Sequence, residues 1–92
     1  MSNEAVADLA DILDFGVERW GEDRAERYQW DLAGTFDTLA GNPRIARTRP
    51  DLPGNVRVHP SGSHVVAYTE DAGGILIVRV LHGRSDWRRL LA

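Results

Sequence analysis

The order of apolar and polar positions divides this chain into a helical half and a strand half. Between Ser2 and Trp20, the residues Val6, Leu9, Leu13, Val17 and Trp20 recur every three or four positions, as one face of a helix does. Ile12 and Phe15 fall to one side of that stripe, which predicts a helix covered on two flanks. Gly21 supplies a stop. Asp23 followed by Glu26 has the form of a capping box that opens a second helix. Its stripe is Ala25, Tyr28, Leu32, Phe36 and Leu39, and Gly41 with Pro43 ends it. Two helices joined by so short a link pack antiparallel, as a hairpin.

Beyond Asn42 the helical period disappears. The stretch NPRIARTRPDLPG (42–54) holds three prolines and three arginines and reads as an extended loop. Three segments of strand character follow, at 55–59, 64–69 and 75–82, separated by the turn sequences PSGS and EDAGG. Such short turns make antiparallel neighbours. The last segment, ILIVRVL, is apolar on both faces, which predicts a central strand in which Arg79 shares a face with Ile75, Ile77 and Leu81. The expected architecture is α+β: one domain over 1–92, with a helical hairpin on a three- to four-stranded antiparallel sheet.

Composition narrows the chemistry. With 42% apolar and 27% charged residues the chain has the make-up of a globular domain, and with no cysteine it has neither disulfide nor thiolate metal ligand. No apolar run approaches the roughly 20 residues of a membrane-crossing helix, so a cytoplasmic protein with no membrane partner is the simplest expectation. His59 and His64 flank a turn without a carboxylate at ligand spacing, so no metal or other cofactor is expected. The net charge of −3 is unevenly spread. Residues 1–37 carry ten acids and three arginines (−7), whereas 38–92 carry four acids and eight arginines (+4). Every basic residue is arginine, whose planar fork suits carboxylates and phosphates. The second half is therefore where an anionic partner is sought.

Four pieces, ADLADILDFGVERWG (7–21), FDTLAGNPRIARTRPDL (36–52), VRVHPSGSHVVAY (56–68) and ILIVRVLHGRSDW (75–87), occur in the order and at the spacing found in one family. In them the chain resembles the ParE toxins of bacterial type II toxin–antitoxin systems, within the RelE/ParE superfamily. The resemblance implies a toxin that stalls DNA gyrase on cleaved DNA and is sequestered by a ParD-like antitoxin. The antitoxin, and not this chain, would then read operator DNA. In one respect the chain departs from the family. Only Met1 to Glu4 precede the first helix, too little for the family's first strand, so either the start is truncated or a sheet edge is left open to a partner's strand.

The superfamily also contains RelE-like, ribosome-dependent mRNA endoribonucleases, which need basic side chains at the phosphate and a proton-transfer group near the C-terminus. Under that alternative the set here is Arg57, His82 and Arg84. Trp87 stands near the place of the family's tyrosine, and an indole can only donate. The binding alternative needs no such set: Arg79, His82, Arg84, Asp86 and Trp87, in the closing run RVLHGRSDWRRLL (79–91), are then the toxicity region. Arg79, beside apolar neighbours, calls for a carboxylate from Asp86 or from the helices. Phe15 and Trp30, with Arg44, Arg47 and Arg49 of the loop, are the residues expected to meet the antitoxin. A third alternative is a non-toxic relative that only binds antitoxin.

Overall fold

The computed structural model describes all 92 residues. Two long helices, α1 (Asn3–Trp20) and α2 (Glu22–Gly41), form the hairpin, and a 3₁₀ turn at Pro43–Ile45 leads into the loop. Strands β1 (Arg57–Ser61), β2 (His64–Asp71) and β3 (Gly74–His82) and a closing helix α3 (Trp87–Leu91) follow. Ser2 caps α1, its hydroxyl accepting from the Ala5 N–H at 3.0 Å. The link between α1 and α2 is Gly21 alone, at φ 89°, a backbone region that favours glycine. Because Gly21 already serves as the first cap of α2, the capping box expected from Asp23 and Glu26 does not form.

The inward stripe of α2 is as the periodicity predicts: Ala25, Leu32 and Leu39 are buried, and Tyr28 and Phe36 are half-buried. The stripe of α1 is rotated from the predicted one. Ala5 and Gly16 are buried, Leu9 and Ile12 pack on the core, and Val6, Val17 and Trp20 remain exposed. The reason is close packing of small residues. A Cβ on Gly16 would lie 3.1 Å from the Cβ of Ala25, so the hairpin is set by positions that a search for large side chains passes over.

The sheet is antiparallel in the order β1–β2–β3, so the central strand is β2, and β3, predicted central, lies at an edge. It is apolar on both faces because both are covered. On one face Val66, Tyr68, Ile77 and Val80 meet Leu32 and Leu39 of α2 and Ala5 of α1. On the other, Ala67 and Leu81 pack with Leu52, Val56 and Trp87. The outer edge of β3 is covered too. Ser2 donates to Ile77 O (N–H, 2.9 Å) and Val78 O (Oγ, 2.6 Å), and Asp8 accepts from Val80 N–H at 2.9 Å. Side-chain and cap groups of α1 thus occupy the stretch of edge that the short N-terminus was expected to leave open.

Between Ala67↔Arg79 and Tyr68↔Ile77 the register slips by one, leaving Val78 as an unpaired extra residue in β3. This bulge breaks the alternation. Ile75, Ile77 and Val80 meet the helices, while Leu81 meets the Trp87 layer. Arg79 therefore does not share a face with Ile75 and Ile77, as strict period-two alternation predicts.

Candidate functional site

The end of β3 brings two histidines together. His82 pairs with His64 across the strands, with ring centroids 5.3 Å apart and nearly perpendicular. The His64 ring touches Tyr28 (5.4 Å), Tyr28 touches Trp20 (6.1 Å), and Trp20 meets Phe15 edge-on (6.3 Å), so five rings run in file from α1 to the sheet end. The Tyr28 hydroxyl bonds to His64 Nδ1 and accepts from the Ser63 N–H at 3.0 Å, fixing the β1–β2 turn against α2. Burial holds His64 below its ordinary pKa, and the neighbouring His82 pushes the same way.

The loop after β3 is tied to this end by its own backbone. Gly83 N–H donates to Ser63 O (2.8 Å), and His82 O accepts both the N–H (3.0 Å) and the hydroxyl (2.6 Å) of Ser85. His82 Nδ1 accepts from the Arg84 N–H at 3.1 Å, which assigns its lone pair to the loop. The exposed Arg84 and Asp86 are thus presented from a constrained turn. Beside the ring file lies an open cleft of about 370 Å³, lined by Ile12, Phe15, Trp20, His64, His82 and Leu90, among others, with Asp11 also on its wall.

The predicted toxicity residues divide by environment. His82, Arg84 and Asp86 are exposed. Arg79 is bound to Asp8 by two bonds, Nε to Oδ2 at 2.8 Å and an Nη to Oδ1 at 2.9 Å. Its partner is a helix acid and not Asp86. That pairing is the first cause of its raised pKa. Trp87 is buried at 9% exposure, in the layer with Leu52 and Leu81, with the guanidinium of Arg88 4.4 Å and that of Arg49 5.4 Å from its ring. Asp86 stands at the start of α3, where its backbone carbonyl accepts from Leu90 N–H but its side chain makes no cap bond.

The ribonuclease set is not assembled. Arg57 pairs with Tyr68, whereas His82 pairs with His64, so the two lie four residues apart along β2, about 13 Å at the usual strand rise. Arg57 is also occupied, donating to Ala46 O at 2.6 Å and reaching Glu70 at 3.5 Å. The residues expected to meet an antitoxin are dispersed. Phe15 (57% exposed) lines the cleft, Trp30 (76% exposed) is on the solvent side of α2, and Arg44 is paired with Glu70. Arg49 lies over Trp87 and is bidentate with Asp51, and this bond raises the pKa of the one and lowers that of the other. Arg47 has no carboxylate within 4 Å. Sequence reasoning passed over Asp8, Asp11 and Leu90. For Asp8 a signal exists, since it lies three residues after Ala5 and four before Ile12, an acid beside the apolar stripe.

A hairpin roofing a three-stranded sheet, with a fixed turn at the end of its last strand, defines a small α+β protein of the RelE/ParE type. The family model described as the ParE toxin of type II toxin–antitoxin systems, parDE, matches residues 1–87, and the chain belongs to that family. It is 39% identical over 92 residues to Toxin ParE1 of Mycobacterium tuberculosis, covering 99% of this chain and 94% of that protein. It is 37% identical over 88 residues to Toxin ParE1 of Caulobacter vibrioides, covering 96% and 91%. A solved structure of the chromosomal ParDE system from P. aeruginosa superposes with a TM-score of 0.76 at 24% identity, over 88% of this chain and 89% of that one, which establishes the shared fold.

Proposed function

We propose that this chain is a growth-arresting toxin that acts by gripping DNA gyrase, and that a ParD-like antitoxin neutralises it by direct binding. Membership of the ParE family over nearly the whole chain is the observation that carries the reading. The geometry supports binding over cleavage, because Arg57 and His82 lie at different positions along the sheet and Trp87 is buried. In this reading His82, Arg84 and Asp86 meet the target, with Arg79 and Trp87 holding the surface in place from beneath. Phe15, Trp30, Arg44, Arg47 and Arg49 are the antitoxin contacts, with the arginines facing an acidic stretch of it.

Inducing the chain alone in a bacterial host tests this. Growth should stop, DNA breaks should accumulate and a reporter plasmid should change its supercoiling, and Arg84→Ala should weaken all three. Unimpaired growth, or cleaved messenger RNA with normal plasmid topology, would overturn the proposal.

A further inference from the structure

The cleft beside the ring file has apolar walls that stay largely in water. Phe15 and Leu90 line it while 57% and 56% exposed, and Trp20 while 42% exposed. Large apolar side chains gathered around a concavity mark a docking site for another chain. Charge selects the occupant. The carboxylates on the cleft are Asp8, committed to Arg79, and Asp11, which has no cation within 4 Å. Glu4 and Glu18, seven residues before and after Asp11, lie on the same face of α1, because seven residues make about two turns. No arginine lines the cleft. An acidic segment is repelled there and a basic one attracted. A second copy of this chain fits poorly. Its exposed Val6, Phe15, Trp20 and Trp30 sit in the half that carries −7, its Leu90 already lines its own cleft, and its Ile45 stands beside an Arg44 already paired with Glu70.

We propose that this cleft receives an apolar side chain of the antitoxin, carried next to an arginine or lysine that pairs with Asp11. This rests on the antitoxin reading above and adds the chemistry of one contact. Arg88, two residues from Leu90 and so about 200° around α3 from it, lies on the far side of that helix, so a bound segment that crossed it would meet an arginine next. The antitoxin segment is therefore basic and apolar in the cleft and acidic beyond α3.

Two fluorescein-labelled nonapeptides, GGRLWRLGG and GGELWELGG, titrated with the purified chain, test the contact by fluorescence polarisation. The basic peptide should bind about fivefold or more tightly than the acidic one. Asp11→Asn should narrow that preference about two- to threefold. Phe15→Ser should weaken the basic peptide by about tenfold, and Val6→Ala, at an exposed position outside the cleft, should change nothing. Equal affinities, a preference for the acidic peptide, no binding at about 1 mM, or indifference to Phe15→Ser each overturn the proposal. So does a concentration-dependent dimer, seen by sedimentation, that Phe15→Ser abolishes, since the occupant is then a second copy. The peptide assay does not depend on toxicity. If induced wild-type chain arrests growth and a co-expressed antitoxin relieves the arrest equally for Asp11→Lys and Phe15→Ser, the cleft proposal fails while the toxin reading stands.

Discussion

Among the carboxylates, Asp8 accepts the most hydrogen bonds, three. One carboxylate satisfies the guanidinium of Arg79 and the outward N–H of Val80, joining α1 to the edge strand. Asp8 is 13% and Arg79 29% exposed at the side chain, so the pair is only partly shielded from water. Asp8→Ala strands both donors and should cost about 2–3 kcal/mol of stability in urea unfolding. Asp8→Asn keeps an acceptor for Val80 and should fall between; equal losses for the two would discount the Val80 bond. His64 makes a pH-dependent contribution. Burial holds its folded pKa below the ordinary 6.5, so as pH falls through that value the unfolded chain takes up the proton first. The stability tied to neutral His64 is full above pH 6.5 and is lost as pH drops toward the folded value. The melting temperature should therefore fall between about pH 7.5 and 5.5, and fall less in His64→Phe, which keeps a ring in the file. An equal fall in both proteins would assign the effect to other groups.

Among the elements, those with many large apolar residues at regular spacing were legible from the sequence, and those fixed by small residues or by one inserted residue were not. The stripe of α2 reads correctly because Leu32, Leu39, Tyr28 and Phe36 announce it. The α1 stripe does not, since Gly16 and Ala5 supply its closest contacts. Strand bounds were read within two residues, but not which strand is central, because the apolar second face of β3 is explained only by a Trp87 layer distant in sequence. Of the candidate site, the exposed turn at His82 to Asp86 was legible as a cluster of polar residues after an apolar strand. The cleft was not, since Phe15, His64 and Leu90 converge only through folding. The turn between β1 and β2 gives this scale its prediction. Gly62 has φ 57°, and an added Cβ would lie 2.8 Å from the Tyr28 hydroxyl. Gly54, at φ 75°, has nothing within 4 Å of that position. Gly54→Ala should cost about 1 kcal/mol through the backbone alone, and Gly62→Ala at least about 1 kcal/mol more through Tyr28. Thermal unfolding of the two compares them, and equal losses would remove Tyr28 from the account.

Across the whole molecule the two halves of the sequence become two electrical faces. The hairpin holds the excess acid. Of the eight arginines after residue 37, Arg44, Arg49, Arg57 and Arg79 are each within 4 Å of a carboxylate, and Arg47, Arg84, Arg88 and Arg89 are not. The unpaired four include both arginines of α3 and the one in the turn after β3, so positive charge is free where the proposed target contact lies. That turn is aimed by a residue some distance from it. Val78 is a supernumerary in the ladder, and everything downstream of it is phased by its being left out of the pairing. Were it drawn into regular pairing instead, strict alternation from Ile77 would swing Val80 away from the helices and drive the charge of Arg79 toward them. His82 would turn from its neighbour, and the surface proposed to meet the target would face the wrong way. One valine with no partner of its own thereby acts as the sighting notch for the end of the strand.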